Sequence, residues 1–451
     1  MQKQLSLILF FFLILLVKTS AFSFFNFGAN KNILNTIDTI TISIVLPISG
    51  KDAEISNDLL KSILISKEDL DVKNIVLKVY DTKSTKDGLV EAFNLLKKDN
   101  PKIILGPISS EQTQHLLQLI NEDDTIKPLI FSFSNDVESI KSYNNSLILG
   151  YLVENEVDNV LDFVIDKVKT QEISPTLVSN VLLTQKPAIA IIAPENQYGD
   201  LVVSQALKYL ESLNLKAVRV VRYPANEIKI TQYFQNLIPQ SEIKEYIKMR
   251  DEIKYKKFYI TKQGDRIIKA IPPQLDFNIL LVAEYGKQLP IVTSHIPAFD
   301  IDYKNLNIVG LSTWNNDYAI KDEFLQGAFF SGFTTQLTAT NFASKYRSML
   351  GKNPTQFVSL GYDVWQIVLH LLEQNQSLEN NANKNNDASF NEEDAVKTVN
   401  ININAYFNKI QLLNTTFNGV LADFSFEESG NIKRYLAIRK IFKNNTSVVE
   451  R

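Results

Sequence analysis

The chain of 451 residues contains no cysteine, so its composition excludes a disulfide, a thiolate metal site, a cysteine nucleophile and a lipid-modified N-terminal cysteine. Histidine is nearly as scarce. His115, His295 and His370 are far apart and lack an HExxH or any other close His/carboxylate spacing, which leaves little basis for a zinc or triad site. No Walker loop and no GxGxxG follows a strand-like run. Paired acids such as Glu392-Glu393-Asp394 read as loop or helix-start charges. With no catalytic constellation, the chain is expected not to be an enzyme and to use neither cofactor nor metal. A formal net charge of −3 argues against nucleic acid as a partner.

What the chain has in quantity is apolar residue, 45 % of the total, enough at this length for a sizeable core and two or three domains. Its start, MQKQLSLILFFFLILLVKTSA, carries Lys3, an apolar run from Leu5 to Val17, and then Thr19-Ser20-Ala21. This is the pattern of a cleavable secretory signal over residues 1–21, and the run is short for a membrane span. Its removal takes away two lysines and no acid, moving the formal charge from −3 to −5. An exported chain without cysteine points to the periplasm, reached through a cleavable signal and without a lipid anchor.

After the signal, hydrophobic periodicity alternates between two types. Thr39–Pro47, Ile75–Tyr80, Lys102–Leu105 and Pro128–Phe131 read as buried strands. Between them, apolar residues at helical spacing (Ile55, Leu59, Ile63; Leu89, Phe93, Leu96) read as amphipathic helices. A helical stripe from Glu154 leads to a second alternation that starts at Ala188–Ala193. This order predicts two α/β units, each a parallel sheet covered on both faces. Residues 241–269 interrupt the second unit with nine basic against five acidic residues and read as a charged helical insert. Residues 375–391 are Asn-rich and read as a surface loop.

Parallel sheets of this kind bind ligands at the carboxyl ends of their strands. Ser109 and Ser110, then Ser132, Ser134 and Asn135, follow strand ends of the first unit. Tyr198, Glu284 and Tyr285 follow strand ends of the second. Hydroxyls on one wall and aromatic and acidic groups on the other would suit an α-amino acid or similar small solute.

The segments IVLPISG, YDTKSTKDGLVEAFNLL, IILGPISSEQT, IIAPENQYGDLVVSQALKYLESLNLKAV, GKNPTQFVSLGYDVWQIVLHLL and FNGVLADFSFEESGNIKRYLAI together resemble the type 1 periplasmic binding-protein fold. The resemblance is to the branch that holds the leucine/isoleucine/valine-binding receptors and the penicillin-binding protein activators. It implies two doubly wound lobes, residues 38–152 with 330–427 and residues 153–329 with 428–446. They would be joined by a three-crossover hinge near residues 152, 329 and 428 that lets a clamshell close. It also implies that Ser109 and Ser110 contact a carboxylate, that Ser132, Ser134 and Asn135 form the facing loop, that Tyr198 is an aromatic lid, and that Glu284 or Tyr285 opposes it. Two roles follow: delivery of the solute to an ABC permease, or regulation of a peptidoglycan synthase. The charged insert is closer to the activators, and the Ser/Tyr/Glu set is closer to the receptors.

Overall fold

The computed structural model describes residues 40–70, 75–123, 125–170, 186–260, 273–297, 306–386 and 407–450. The signal expected at residues 1–21 lies outside them. In the first lobe, β1 (Ile40–Leu46), β2 (Ile75–Asp81), β3 (Ile103–Leu105), β4 (Leu129–Ser132) and β5 (Ser146–Ile148) form one parallel sheet in the order β2-β1-β3-β4-β5. The helices α1 (Ala53–Asp69), α2 (Lys86–Leu96) and α3 (Ser110–Glu122) cross between strands. The central strands are apolar on successive residues because both faces are covered: β3 and β4 are buried at every position.

The second lobe opens with α4 (Val153–Thr170), followed by β6 (Ile189–Glu195), α5 (Gln197–Ser212) and β7 (Ala217–Pro224). Then come α6 (Gln240–Ile260), β8 (Ile279–Val282), β9 (Asn307–Gly310) and β10 (Phe329–Gly332). The two sides of β6 feed two cores, Ile189, Ile191 and Ala193 in one and Ala190 and Ile192 in the other, as a two-residue side-chain period requires. The charged insert is represented by α6, whose buried contacts are Ile243 and Tyr246 against Ile238 and Leu275 near its start.

The last elements return to the first lobe. The helices α7 (Asn341–Leu350) and α8 (Gln356–Asn386) bring Trp365 against α1, where its indole N–H donates to the Ile63 carbonyl at 2.7 Å. The hairpin of β11 (Phe424–Phe426) and β12 (Ile432–Arg434) adds Phe424, Phe426 and Ile432 to the first core. Finally β13 (Ala437–Phe442) and β14 (Asn445–Glu450) complete a seven-stranded sheet in the order β14-β13-β10-β9-β8-β6-β7.

Three details differ from the sequence reading. The strand β10 pairs with β9 and β13, so the chain leaves the second sheet after Gly332 rather than at 329. The β12 strand still belongs to the first core, so the last crossing follows Arg434 rather than 428. Residues 375–386 continue α8 instead of looping out, because a helix already nucleated and docked gains one hydrogen bond for each residue added.

The three crossings meet at one buried cluster. The Arg434 guanidinium lies over the rings of Tyr151 and Phe424 at 4.5 and 5.1 Å and donates to the Leu149 carbonyl at 3.0 Å. It faces Asp363 of α8 at 3.4 Å. Tyr151 packs edge-on against Phe333 of the second crossing at 5.0 Å. The first crossing runs from the carboxyl end of β5 into the start of α4. A helix preceding a parallel strand runs antiparallel to it, so this start lies at the carboxyl edge of the second sheet. The carboxyl edges of the two sheets therefore face one another across the hinge.

Candidate functional site

In a doubly wound sheet the crevice opens where strand order reverses. That point lies between β1 and β3 in the first lobe and between β6 and β8 in the second. Gly106, just past β3, adopts φ +113°, and a Cβ there would meet the Val45 carbonyl oxygen at 2.1 Å. Only glycine lets the β3 turn sit this close to β1.

That turn delivers the two serines of α3 to different tasks. Ser109 is the helix cap, its hydroxyl accepting the Gln112 N–H at 3.2 Å. Ser110 turns toward the loop after β4, with its hydroxyl 2.9 Å from that of Ser134. The N–H groups of Ser110 and Glu111 lie in the first turn, where no partner exists within the helix. Ser134 also accepts from Ser139 Oγ at 3.3 Å and from the Asp136 N–H at 3.1 Å. Ser132 is fully buried beneath this pair, bonded to Thr113 Oγ1 at 2.8 Å and accepting the Ser134 N–H at 3.1 Å. It supports the loop without lining the cleft. Asn135 is exposed beside it.

Across the hinge, Asn196 caps α5 by accepting the Gly199 N–H at 2.8 Å, which places Tyr198 in the first turn. The Tyr198 ring meets Tyr285 edge-on at 4.9 Å, and its hydroxyl lies 3.4 Å from Thr313 Oγ1. Tyr285 is 45 % exposed. Glu284 is not open in the same way: it is 5 % exposed, and its carboxylate accepts the Tyr223 hydroxyl at 2.5 Å and the Tyr285 N–H at 2.9 Å. Burial raises its pKa. Its carbonyl takes the Trp314 indole N–H at 2.9 Å. Burial likewise raises the Tyr198 hydroxyl pKa, so that group stays protonated and available as a donor.

Sequence reasoning missed Glu156. It lies on the apolar stripe of α4, one turn before Val160, and is 8 % exposed. Its carboxylate accepts the Ser312 N–H at 2.8 Å and the Ser312 hydroxyl at 2.7 Å, and burial pushes its pKa up to about 7. An acid placed on an otherwise apolar stripe is the signal that could have found it. Burial, with the Asp136 carboxylate as a lesser cause, also raises the pKa of Glu154 in the first turn of α4.

Among the described residues no group of three His, Asp or Glu side chains could hold a metal ion. A separate hollow of about 430 Å³ between α2 and α3, lined by Phe93, Lys97, Leu119 and Asp123 among others, lies at the opposite end of α3 from Ser110.

No curated protein sequence matches the chain. Among solved structures, a candidate branched-chain amino acid ABC transporter protein from Rhodospirillum rubrum is 13 % identical with a TM-score of 0.62, covering 91 % of this chain and all 100 % of that one. A branched-chain amino acid ABC transporter periplasmic ligand-binding protein from Burkholderia xenovorans is 13 % identical, with a TM-score of 0.56 and coverage of 91 % and 94 %. The C-domain of LpoA from Haemophilus influenzae, a regulator of PBP1A, is also 13 % identical, with a TM-score of 0.54 and coverage of 91 % and 99 %. At such identities these likenesses establish the fold alone. The profile described as periplasmic binding protein matches residues 39–416, most of the chain, and with two parallel-sheet lobes facing across a three-stranded hinge the protein belongs to the periplasmic binding protein family.

Proposed function

We propose that the inter-lobe cleft binds a small solute with an anionic and a cationic end, such as an amino acid, and that the chain is the solute-binding component of an ABC importer. It would act in the periplasm after loss of residues 1–21, without a lipid anchor. One observation carries this reading. The reversal points of the two sheets present the Ser110 hydroxyl, backed by the buried Ser134, on one lobe and the Tyr198–Tyr285 pair on the other. Ser110 and the N–H groups of the first turn of α3 suit a carboxylate. The tyrosine pair, with Glu284 buried behind it, suits an ammonium. Asn135 and the exposed face of Tyr285 would line the space between.

A thermal-shift panel of the mature protein against the twenty amino acids and a set of muropeptides tests this. A ligand at a hundred times its dissociation constant stabilises by roughly 2.7 kcal/mol. An amino acid that raises the midpoint supports the reading; a panel without any shift from amino acids contradicts it.

The second reading, a regulator of a peptidoglycan synthase, is favoured by α6. Beyond Tyr246 its described side chains, including Ile247 and Lys248, are largely exposed. Charge reversal at Lys244 and Lys248 should then abolish pull-down of a synthase and leave amino-acid affinity unchanged. Failure of the wild-type chain to retain any synthase would remove this alternative.

A further inference from the structure

The first two turns of α4 link the hinge to the second wall of the cleft. Asn155 donates to the Ile432 carbonyl at 2.9 Å, at the last crossing, and Asn159 to Ser331 Oγ at 3.0 Å, on β10 before the second. Between them Glu156 holds Ser312 by both its N–H and its hydroxyl, at 2.8 and 2.7 Å. The next residue, Thr313, reaches the Tyr198 hydroxyl at 3.4 Å, and Trp314 holds the Glu284 carbonyl at 2.9 Å. Thus a carboxylate buried to nine-tenths is joined to the tyrosine pair through Ser312 and Thr313, and its hydrogen bonds come from neutral Ser312 donors.

We propose that Glu156 is the buried counter-charge of the second wall: its negative form favours a cationic group seated on Tyr198 and Tyr285, and binding of such a ligand drives its proton into solvent. This rests on the reading of the cleft given above. The groups that face Glu156 from its surroundings are Tyr151 in the first crossing, Tyr198 on α5 and Ser312 after β9. Arg434 stacks on Tyr151 and pairs with Asp363, and Glu284 is taken up by Tyr223 and the Tyr285 N–H. A carboxyl pushed up to about 7 by burial is partly protonated at neutral pH, so there is a proton to release. Arrival of a cation lowers the cost of the charged form and releases it.

The test titrates L-leucine, or the panel amino acid that stabilises most, into the full mature chain at pH 7 in two buffers of different ionisation enthalpy. Wild type is expected to show a buffer-dependent heat corresponding to proton release. Glu156→Gln, which keeps an acceptor for the Ser312 N–H, should lose that dependence and bind the amino acid on the order of tenfold more weakly. The deaminated counterpart, 4-methylpentanoate for leucine, should bind both chains alike. Glu156→Asp, which keeps the charge, should retain proton release. Without ligand, wild type should gain thermal stability relative to Glu156→Gln as the pH falls from 8 to 5.5. A buffer-independent heat in wild type, or its persistence in Glu156→Gln, overturns the inference while the amino-acid reading stands. Absence of any amino-acid binding overturns both.

Discussion

Replacing Arg434 with methionine should cost roughly 3 kcal/mol of folding stability, and the sum behind this figure is set by its surroundings. The side chains of Arg434 and Asp363 are 2 % and 1 % exposed. Removal of one partner of such a pair leaves an uncompensated buried charge, which costs about 3–5 kcal/mol. The Leu149 carbonyl also loses its donor, a further penalty of about 1–3 kcal/mol. Two effects work the other way. Asp363 can take up a proton, which burial already favours, and it keeps the Val420 N–H at 2.7 Å. Methionine meanwhile still fills much of the apolar gap between Tyr151 and Phe424. Urea midpoints for wild type, Arg434→Met, Asp363→Leu and the double variant form the assay. The double variant should recover most of the loss, because it removes both charges together. A single-site cost under about 1 kcal/mol, or a double variant worse than either single one, would refute the idea that this pair ties the crossings together.

Two further outcomes are expected. Gly106→Ala should destabilise the first lobe by more than about 1 kcal/mol, since the left-handed backbone and the Val45 carbonyl both oppose a Cβ; a circular-dichroism melt within error of wild type would contradict this. Glu156 should make stability depend on pH in the direction unusual for an acid. Its pKa is 4.5 unperturbed and about 7 in the fold, so the folded state binds the proton more tightly, and stability attributable to it is present at low pH and lost as pH rises through about 7. At about 1.4 kcal/mol for each tenfold in protonation the full shift amounts to roughly 3 kcal/mol, of which about 2 kcal/mol falls above pH 5.5. Parallel chemical-denaturation curves for wild type and Glu156→Gln between pH 5.5 and 8 should diverge, and coincident pH profiles would contradict the assignment.

The strands and their order were legible because buried parallel strands are apolar on consecutive residues, as in Ile103–Leu105 and Leu129–Ser132, and because turn residues punctuate them. That Ser110, Ser134, Tyr198 and Tyr285 follow strand ends was readable from the periodicity. What each of them touches did not. Ser109 and Ser110 are equivalent by sequence, and the helix start divides them between capping and the cleft. Glu284 was expected, as an alternative to Tyr285, to oppose Tyr198 on the cleft wall, yet it is buried and bonded to Tyr223, a residue 61 positions earlier. The crossings after Gly332 and Arg434 were placed a few residues early because β10 and β12 are short strands whose membership depends on pairing partners distant in sequence. Glu156 stood out only as an acid on an apolar stripe, and its partner Ser312 lies 156 residues further on at another strand end.

The division between Ser109 and Ser110 also offers the most direct test of the central claim, that the cleft at the start of α3 holds the anionic end of a ligand. Calorimetric dissociation constants and melting temperatures should be measured on the same samples of Ser109→Ala and Ser110→Ala, with the amino acid found in the panel. The account predicts that Ser109→Ala loses about 1 kcal/mol of stability with little change in affinity. It predicts the reverse for Ser110→Ala, a tenfold to hundredfold weaker complex, since a hydrogen bond to a charged group contributes about 1.5–3 kcal/mol. A Ser110→Ala protein that melts earlier yet binds as wild type does would contradict it.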